Sequence, residues 1–382
     1  MSSWDSIRTA RTISAKWNRY PDNVIPAWIA DMDFGVAPEI SERLIEVISS
    51  QDLGYPIQDL QDELLNTFSD RYFEKYNTVL APELALVSTD VVQSILISIL
   101  TLTAPGDGII VQTPIYPPFL SSVESTKRKL CENRLIETQD GWEIDFKNLE
   151  DLARLESTRM LLLCSPHNPT GRVFLQDELV RIGQICSEHN VVVVADEIHC
   201  DIVYSPFFHI PFASLSPQWA SNVITLNSAA KSFNLAGMRC SIAHFGSEEL
   251  KEKYESFQFH LRGSISNLGM IGAITAWKKS EYWLENIVAK LQENKNLISN
   301  YFNSHKLPIG YKAPQGTYLA WLDFRQTKAK ESPYKFILEQ AKVALSPGQD
   351  FGTPGQSWAR LNFATESDIL VEILDRIAKS LN

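Results

Sequence analysis

Cysteine is scarce in this chain of 382 residues. The five cysteines are scattered, their number is odd, and no two of them form a CxxC pair. This pattern argues against a disulfide framework and predicts free thiols in a reducing, cytoplasmic setting. Cys164 and Cys200 lie near the motifs described below, but we expect both to be buried structural thiols, because free cysteines are usually buried.

Long apolar runs are also missing. No run approaches the roughly 18 residues that would suggest a membrane span, and the opening segment MSSWDSIRTARTIS lacks the apolar core of a signal peptide. The longest apolar stretch, residues 91–102, is interrupted by Gln93 and is typical of a core helix. We therefore expect no association with a membrane.

Positive charge is in short supply: 35 lysines and arginines stand against 46 aspartates and glutamates, which gives a net charge of −11. A nucleic-acid-binding surface needs a basic stripe, so no nucleic-acid partner is expected. An anionic ligand would instead need local Arg, Lys or backbone N–H groups. No metal site is predicted.

What is present is a repeated pattern of short apolar runs separated by helical stretches. Unbroken runs of this kind, rich in β-branched residues, are typical of parallel strands that are buried on both faces. Between them lie stretches with helical periodicity, such as 176–188, so the chain predicts an α/β sheet with right-handed crossovers. The runs are 108–112, 160–164, 191–195 and 223–227.

The C-terminal third has a different pattern, which predicts a smaller α+β domain. A long helix is expected over 280–302, strands over 317–322 and 359–363, and a final helix over 367–380. A chain of this length is expected to form more than one core. We predict an N-terminal segment, 1–50, that docks on the small domain, a large domain over 51–285 and a small domain over 286–382.

Lys231 follows one of the predicted strands directly and is flanked by small residues. Taken alone, a solvated lysine at a strand end is the expected interpretation. A desolvated lysine beside other cations, however, has a lowered pKa and can form a Schiff base. Ser228 and Arg239, on either side, could hold a phosphate group.

Further polar residues follow the other strands, and ligands bind at the carboxyl ends of strands in open α/β sheets. Asp196 could pair with a pyridinium nitrogen, although a helix-capping aspartate is the simpler interpretation. Asn168 lies in an Asn-Pro-x-Gly turn and could donate to a phenolate oxygen. Tyr116, held between prolines, could stack on a flat ring, or it could belong to a surface turn. His199, taken alone, is more simply a core histidine.

Two more features point to an anionic ligand. A helix that begins near Val91 and Val92 would present free N–H groups to a phosphate. Arg360 lies in a strand-like run, and its planar guanidinium suits a carboxylate. Taken alone, Arg360 is more simply one half of a surface ion pair.

Together, and in this order, these motifs resemble the fold-type I enzymes of the aminotransferase class I/II family, which use pyridoxal 5′-phosphate (PLP). Within that family the chain looks like the MalY/PatB-type cystathionine β-lyases, also called C–S β-lyases. The resemblance covers essentially the whole chain and implies a large domain with a mostly parallel seven-stranded sheet and a smaller α+β domain. The segments that carry it are Trp28-Ile-Ala-Asp-Met-Asp-Phe34, Gly54-Tyr55, residues 112–119, Asp196-Glu-Ile-His199, residues 231–237, residues 316–323 and Arg360-Leu-Asn.

The resemblance also implies a role for each matching residue. Lys231 would be the Schiff-base lysine and the catalytic base, and Asp196 would pair with the pyridine nitrogen. Asn168 would contact the ring oxygen O3′, with His199 nearby, and Tyr116 would stack on the ring.

At the other end of the cofactor, the phosphate would be held by Ser228 and by the backbone of Val91 and Val92. Tyr55, a further catalytic residue, would reach the phosphate from the partner subunit, which implies a homodimer with shared sites. Arg239 would be a further phosphate contact. Arg360 would bind the substrate carboxylate, with Ala30 and Trp28 also contacting the substrate.

The chain departs from the pattern of these lyases at two positions, Asp90 and Arg239, and one further position, His199, separates them from aminotransferases. Asp90 stands where these proteins usually have glycine, and its charge is unfavourable near a phosphate unless the side chain turns away. Arg239 stands where aminotransferases, rather than C–S lyases, place an arginine, and it could offset Asp90. His199 stands where many aminotransferases have tyrosine, which favours the lyase subgroup.

The resemblance therefore predicts α,β-elimination from an S-substituted cysteine to give a thiol, pyruvate and ammonia. Transamination of an L-amino acid is the alternative, because it would use the same residues. A non-catalytic binding or regulatory protein is disfavoured, because Lys231, Asp196, Asn168 and Arg360 are all present.

Overall fold

The computed structural model describes residues 3–139 and 141–382. Within those residues the chain forms sixteen α-helices and fifteen strands, joined by short 3₁₀ turns. The helices are α1 Ser3–Ala10, α2 Ala15–Asn18, α3 Pro38–Ser50, α4 Gln58–Tyr76, α5 Val91–Leu102, α6 Pro117–Ser125, α7 Phe146–Ala153, α8 Gln176–Glu188, α9 Pro217–Ala220, α10 Ala229–Ser232, α11 Glu248–Glu255, α12 Phe259–Arg262, α13 Asn267–Lys279, α14 Glu281–His305, α15 Pro333–Ala341 and α16 Ser367–Leu381. The strands are β1 Ile25–Pro26, β2 Ala85–Ser88, β3 Gly108–Val111, β4 Lys129–Glu132, β5 Ile136–Glu137, β6 Trp142–Glu143, β7 Thr158–Cys164, β8 Val192–Asp196, β9 Val223–Asn227, β10 Ser241–Phe245, β11 Gly310–Tyr311, β12 Leu319–Asp323, β13 Val343–Ala344, β14 Ser346–Pro347 and β15 Trp358–Asn362.

The predicted mostly parallel sheet is confirmed. It has seven strands in the order β2-β10-β9-β8-β7-β3-β4. Strands β9, β8, β7, β3 and β4 pair in parallel, and only β10 runs antiparallel to its two neighbours. The four apolar runs singled out in the sequence are β3, β7, β8 and β9.

These strands lack polar alternation because both faces of the sheet are covered by helices. In β7, Leu161 and Leu163 join a buried cluster with residues of α7 and α8. Met160 and Leu162, which point to the other face, join a second cluster with residues of α5 and α6. Every position of the run is therefore an interior position.

A second, four-stranded sheet forms in the C-terminal part, in the order β11-β12-β15-β14. Its core includes residues of α14 and α16, and residues from the beginning of the chain, such as Trp17 and Phe34, pack into the same core. Strand β1 pairs in parallel with β13. The boundaries 1–50, 51–285 and 286–382 remain a prediction.

The sheet topology brings the candidate site residues together. Because β7, β8 and β9 are parallel neighbours, their carboxyl ends lie at one edge, where Cys164 pairs with Asp196 and Asp196 with Leu226. Arg360 approaches from β15 of the smaller sheet. No helix within the described residues combines the length and apolar character that a membrane crossing needs.

Candidate active site

A cavity of about 440 Å³ opens at the carboxyl edge of the seven-stranded sheet. Eleven of the residues to which the resemblance assigned a role line it, and the other two, Trp28 and Tyr55, are not among its lining residues. The eleven are Ala30, Val91, Val92, Tyr116, Asn168, Asp196, His199, Ser228, Lys231, Arg239 and Arg360.

Lys231 projects into this cavity from α10, which follows β9 directly. Its Nζ donates a hydrogen bond to the carbonyl oxygen of Ala30 at 2.8 Å. Burial lowers the pKa of Lys231; the charge of Asp31 opposes the shift and that of Arg360 adds to it. A lysine in these surroundings reaches its neutral, nucleophilic form more readily than a solvated one.

Asp196 is the last residue of β8 and is buried. One carboxylate oxygen accepts a hydrogen bond from the backbone N–H of Ile198 at 3.0 Å. Burial raises the pKa of Asp196 to about 7, and this one hydrogen bond only partly offsets the shift. A cationic partner buried beside this carboxyl group would lower its pKa, because a nearby positive charge favours the ionised form.

Arg360 is 4% exposed, so its interpretation as a surface ion pair is wrong. Its guanidinium donates to three neutral oxygens: Asn168 Oδ1 at 3.0 Å, the Trp28 carbonyl at 3.1 Å and Ser346 Oγ at 3.2 Å. Within the described residues it has no carboxylate partner, and its Nε has no hydrogen-bond partner. Burial lowers its pKa to about 10. Buried charges are normally paired, so Arg360 has the character of a site for a bound anion.

Asn168 and Tyr116 lie side by side on the cavity wall. The backbone N–H of Tyr116 donates to the carbonyl oxygen of Asn168 at 3.1 Å, which connects the loop after β3 to the loop after β7. Tyr116 is half-buried, and burial raises the pKa of its phenol. The aromatic ring therefore belongs to the cavity wall rather than to a free surface turn.

Asp90 and Arg239 form an ion pair at another part of the wall. Asp90 is also the N-cap of α5, where its side chain accepts from the Gln93 N–H at 2.8 Å. The sequence indicated that Arg239 could offset the charge of Asp90, and the ion pair between them is present. Val91 and Val92 begin α5, and N–H groups in a first helical turn have no partner within the helix.

Ser228 already uses its hydroxyl within the protein. It donates to the Cys240 carbonyl at 2.5 Å and accepts from the Ala230 N–H at 3.0 Å as the N-cap of α10. The hydroxyl would have to rotate to donate to a phosphate.

His199 is buried, and its Nδ1 has no hydrogen-bond partner within the described residues. Its ring meets Tyr318 edge to face, with 6.1 Å between the ring centroids. Burial lowers the pKa of His199 to about 3, and the charges of Lys231 and Arg360 add to the shift. The imidazole is therefore neutral at ordinary pH and is not a satisfied core histidine.

The side chains of Trp28 and Tyr55 do not line the cavity of their own chain. The indole of Trp28 packs against Arg19 and Tyr20 and donates to the Lys16 carbonyl, so only its backbone oxygen reaches Arg360. Tyr55 is fully exposed.

Sequence reasoning placed Ala30 in the site but did not indicate what holds the segment that follows Trp28 in position. Asn362 donates to the carbonyls of Ile29 and Asp31 at 2.6 Å each. Asn234, from the loop after α10, is hydrogen-bonded to Met32 in both directions. These contacts are made by backbone carbonyls, which leave no residue-type signal in a sequence. The side chain of Asp31 also lines the cavity.

The described residues contain no group of three or more metal-ligating side chains that could hold a metal ion. The fold and the cavity are those of a PLP-type transferase, with a lysine, a buried carboxyl and a buried arginine at the carboxyl edge of the sheet. The model of the aminotransferase class I and II family matches residues 23–377, and the chain belongs to that family.

Individual relatives point in the same direction. A cystathionine beta-lyase from Corynebacterium glutamicum is 33% identical over 379 residues, which cover 99% of this chain and 98% of that protein. The cystathionine beta-lyase PatB of Bacillus subtilis is 31% identical over 380 residues, covering 97% of each chain. The structure of cystalysin from Treponema denticola, which contains a pyridoxal 5′-phosphate cofactor, matches with a TM-score of 0.92 at 29% identity, covering 97% of this chain and 96% of that one.

Proposed function

We propose that this protein is a PLP-dependent C–S β-lyase that cleaves S-substituted cysteines to a thiol, pyruvate and ammonia. The observation that carries the proposal is the buried, carboxylate-free guanidinium of Arg360 on the cavity that also holds Lys231 and Asp196. Arg360 suits the substrate carboxylate, Lys231 the cofactor aldehyde and Asp196 the pyridine nitrogen of the cofactor. The choice of a lyase rests on the relatives named above.

The residues present fit PLP. Two buried nitrogen atoms on or beside the cavity wall, His199 Nδ1 and Arg360 Nε, have no hydrogen-bond partner among the described residues. The wall therefore has polar atoms that a bound polar group could satisfy. Lys231 would bind the cofactor aldehyde, and Asp196 the pyridine nitrogen. When bound, the cofactor withdraws electrons from the substrate Cα.

The other contacts follow the same assignment. Asn168 and His199 would lie beside the ring oxygen, with Tyr116 against the ring. The phosphate would lie against the first turn of α5, at Val91 and Val92, with Ser228 and Arg239 as further contacts. A phosphate at a helix N-terminus is held by free N–H groups and by the helix dipole.

The chain's own groups would then act as follows. Arg360 would bind the α-carboxylate and so orient the Cα–H bond of the substrate. Lys231 Nζ, with its pKa lowered by burial, would take the α-proton as general base. The sulfur leaves Cβ readily, because a thiol, with a pKa of about 8.5, is far more acidic than an alcohol. Ala30 would lie against the bound substrate.

A matched substrate pair tests this proposal. S-methylcysteine and O-methylserine differ in one atom, and we expect pyruvate in equal amount to methanethiol from the first and little or no pyruvate from the second. Transamination, the alternative, uses the same lysine, aspartate and arginine; it would give a keto acid that retains the sulfur and the amino form of the cofactor. Absence of pyruvate from a panel of cysteine thioethers would contradict the lyase proposal.

We also propose a homodimer in which Tyr55 completes the partner's cavity. Tyr55 is fully exposed, and Leu53 and Ile57 beside it are also exposed, which suits an interface. Mixing inactive Tyr55→Ala and Lys231→Ala chains should restore activity, because mixed dimers would contain one intact site. No restored activity, or a fully active monomer, would contradict a shared site.

The cytoplasmic setting and the three-part domain division are proposals as well. The first is supported by the five cysteines, which are all free and buried.

A further inference from the structure

A chain of buried hydrogen bonds runs behind the cavity, through residues that do not line it. The N–H of Ser228 donates to Asn227 Oδ1 at 2.6 Å, Asn227 Nδ2 donates to the Tyr72 hydroxyl at 2.6 Å, and that hydroxyl donates to Glu197 Oε2 at 3.0 Å. Asn227, Tyr72 and Glu197 are all buried. We call these three residues the buried relay.

The two ends of the buried relay are the two strand ends that carry the site. Asn227 is the last residue of β9 and is followed by Ser228 and, on α10, Lys231. Glu197 follows Asp196, the last residue of β8. The strands are neighbours, with Asp196 opposite Leu226, and the Glu197 N–H still donates to the Leu226 carbonyl at 2.9 Å. Beyond that point the side chains of the buried relay connect the two loops.

Glu197 holds its end of the buried relay firmly. Its Oε1 accepts from the Phe212 N–H at 2.8 Å, and its Oε2 is 3.1 Å from His209 Nε2 as well as accepting from Tyr72. Burial and the neighbouring charge of Glu197 raise the pKa of Tyr72 well above its usual value, so the phenol keeps its proton and donates it. Hydrogen bonds in a buried network are stronger than in water, and each lost partner is costly.

We infer that Tyr72 and Asn227 are positioning residues, which set the distance between Asp196 on one side and Ser228 and Lys231 on the other. The inference rests on the proposed PLP chemistry, because those are the groups that would hold the two ends of the cofactor. Tyr72 reaches this place from α4, an element outside the sheet that contributes no residue to the cavity lining.

Tyr72→Phe removes only the hydroxyl at the middle of the buried relay and leaves Asn227 and Glu197 each without one partner. We expect the dissociation constant for PLP to rise about 10-fold, which is the effect of a buried hydrogen bond lost on both sides. The absorbance spectrum of the bound cofactor should also change, because Asp196 and Lys231 would shift relative to each other. The measurement is a PLP titration of the purified cofactor-free protein, followed by absorbance.

The matched control is Tyr301→Phe. The Tyr301 hydroxyl donates to the carboxylate of Asp375 in the C-terminal part of the chain, so this variant makes the same chemical change away from the cavity. It should leave PLP affinity and the cofactor spectrum at their wild-type values. Melting temperatures of both variants are measured as well. If Tyr301→Phe and Tyr72→Phe lower PLP affinity in the same proportion to their loss of melting temperature, the role of Tyr72 is structural and the inference is wrong.

A second variant, Asn227→Ala, breaks the buried relay at another link. Because both changes interrupt one chain, the double variant should lose less affinity than the product of the two single losses. A loss equal to that product, or a Tyr72→Phe variant with wild-type affinity and spectrum, would overturn the inference. If the wild-type protein itself binds no PLP in this titration, the proposed function fails first. A wild type that binds PLP and forms pyruvate beside an unaffected Tyr72→Phe variant refutes the positioning role alone.

Discussion

Arg360 and Arg239 both line one cavity, and their surroundings differ in almost every respect. Arg360 is 4% exposed, lies in a strand and donates to three neutral oxygens. The side chain of Arg239 is 64% exposed, follows a 3₁₀ turn in a left-handed conformation and pairs with the carboxylate of Asp90. Arg360 is therefore buried without a counter-charge, whereas Arg239 is solvent-exposed and has one.

The difference shows which of the two is built for a ligand. Burying a guanidinium without a carboxylate costs free energy, and a structure that retains such a group holds a place open for an anion. An exposed ion pair contributes only about 0–1 kcal/mol and needs no ligand to explain it. Both residues were assigned to binding in the sequence, but only Arg360 has the physical character of a binding group in the chain by itself.

The most direct test of this difference between the two arginines is a substitution of Arg360. We expect Arg360→Met, which keeps an unbranched apolar stem but removes the charged guanidinium, to lower kcat/KM by roughly 10³-fold, because removing one partner of a buried ionic contact costs about 3–5 kcal/mol. Steady-state kinetics on S-methylcysteine measure this loss. An effect below tenfold would mean that the substrate carboxylate binds elsewhere.

A second test concerns another buried ionisable group on the cavity wall, Asp196. Its pKa of about 7 in the folded chain lies above the usual value near 4, so the folded state binds the proton more tightly than the unfolded state does. The free energy of unfolding of the cofactor-free protein should therefore fall as pH rises from 4 to 7, by roughly 3–5 kcal/mol relative to Asp196→Asn. Urea unfolding at both pH values measures this difference, and an equal difference at the two values would contradict it.

Arg239→Met is the counterpart of the first test. Because the Arg239 side chain is exposed and paired, we expect kcat/KM to fall less than about fivefold, in line with a surface ion pair. The effect should shrink further in 1 M salt, where exposed charges are screened. A loss as large as that of Arg360→Met would show that Arg239 leaves Asp90 and is a main phosphate ligand rather than a further contact.

The smallest expected effect is at Asp90. Asp90→Asn keeps a good N-cap for α5 but removes a negative charge next to the first turn, where we place the phosphate. PLP affinity should rise by about two- to fivefold at low salt, because one repulsive charge is gone. Weaker PLP binding would mean that the carboxylate serves to hold Arg239 in a productive position.

Much of the fold could be predicted because its signals are local. The unbroken apolar runs at β3, β7, β8 and β9 are a direct consequence of a parallel sheet covered on both faces. The residues that follow the strands, such as Asn168, Asp196 and Lys231, were predicted to meet, since parallel strands end at one edge. Helix α8 begins and ends at the residues expected from its apolar periodicity.

Other parts of the site could not be predicted for an equally physical reason. The resemblance implied that Trp28 contacts the substrate, but the indole lies against Arg19 and Tyr20, and it is the backbone oxygen that reaches Arg360. Tyr72 has no motif of its own and lies 155 positions from Asn227, to which it is hydrogen-bonded. Neither contact leaves a local sequence pattern from which it could be predicted.

By itself, the sequence determined the type of sheet, the loops that bear the site and, through the order of its motifs, the resemblance to PLP enzymes. Those features follow from periodicity and residue type, which act over a few positions. Only the tertiary structure decided that Arg360 is buried without a counter-charge, that Arg239 is engaged by Asp90, and that the buried relay connects two strand ends. Burial and pairing depend on residues far apart in the chain, and they decide whether a charged side chain is a surface group or a binding group.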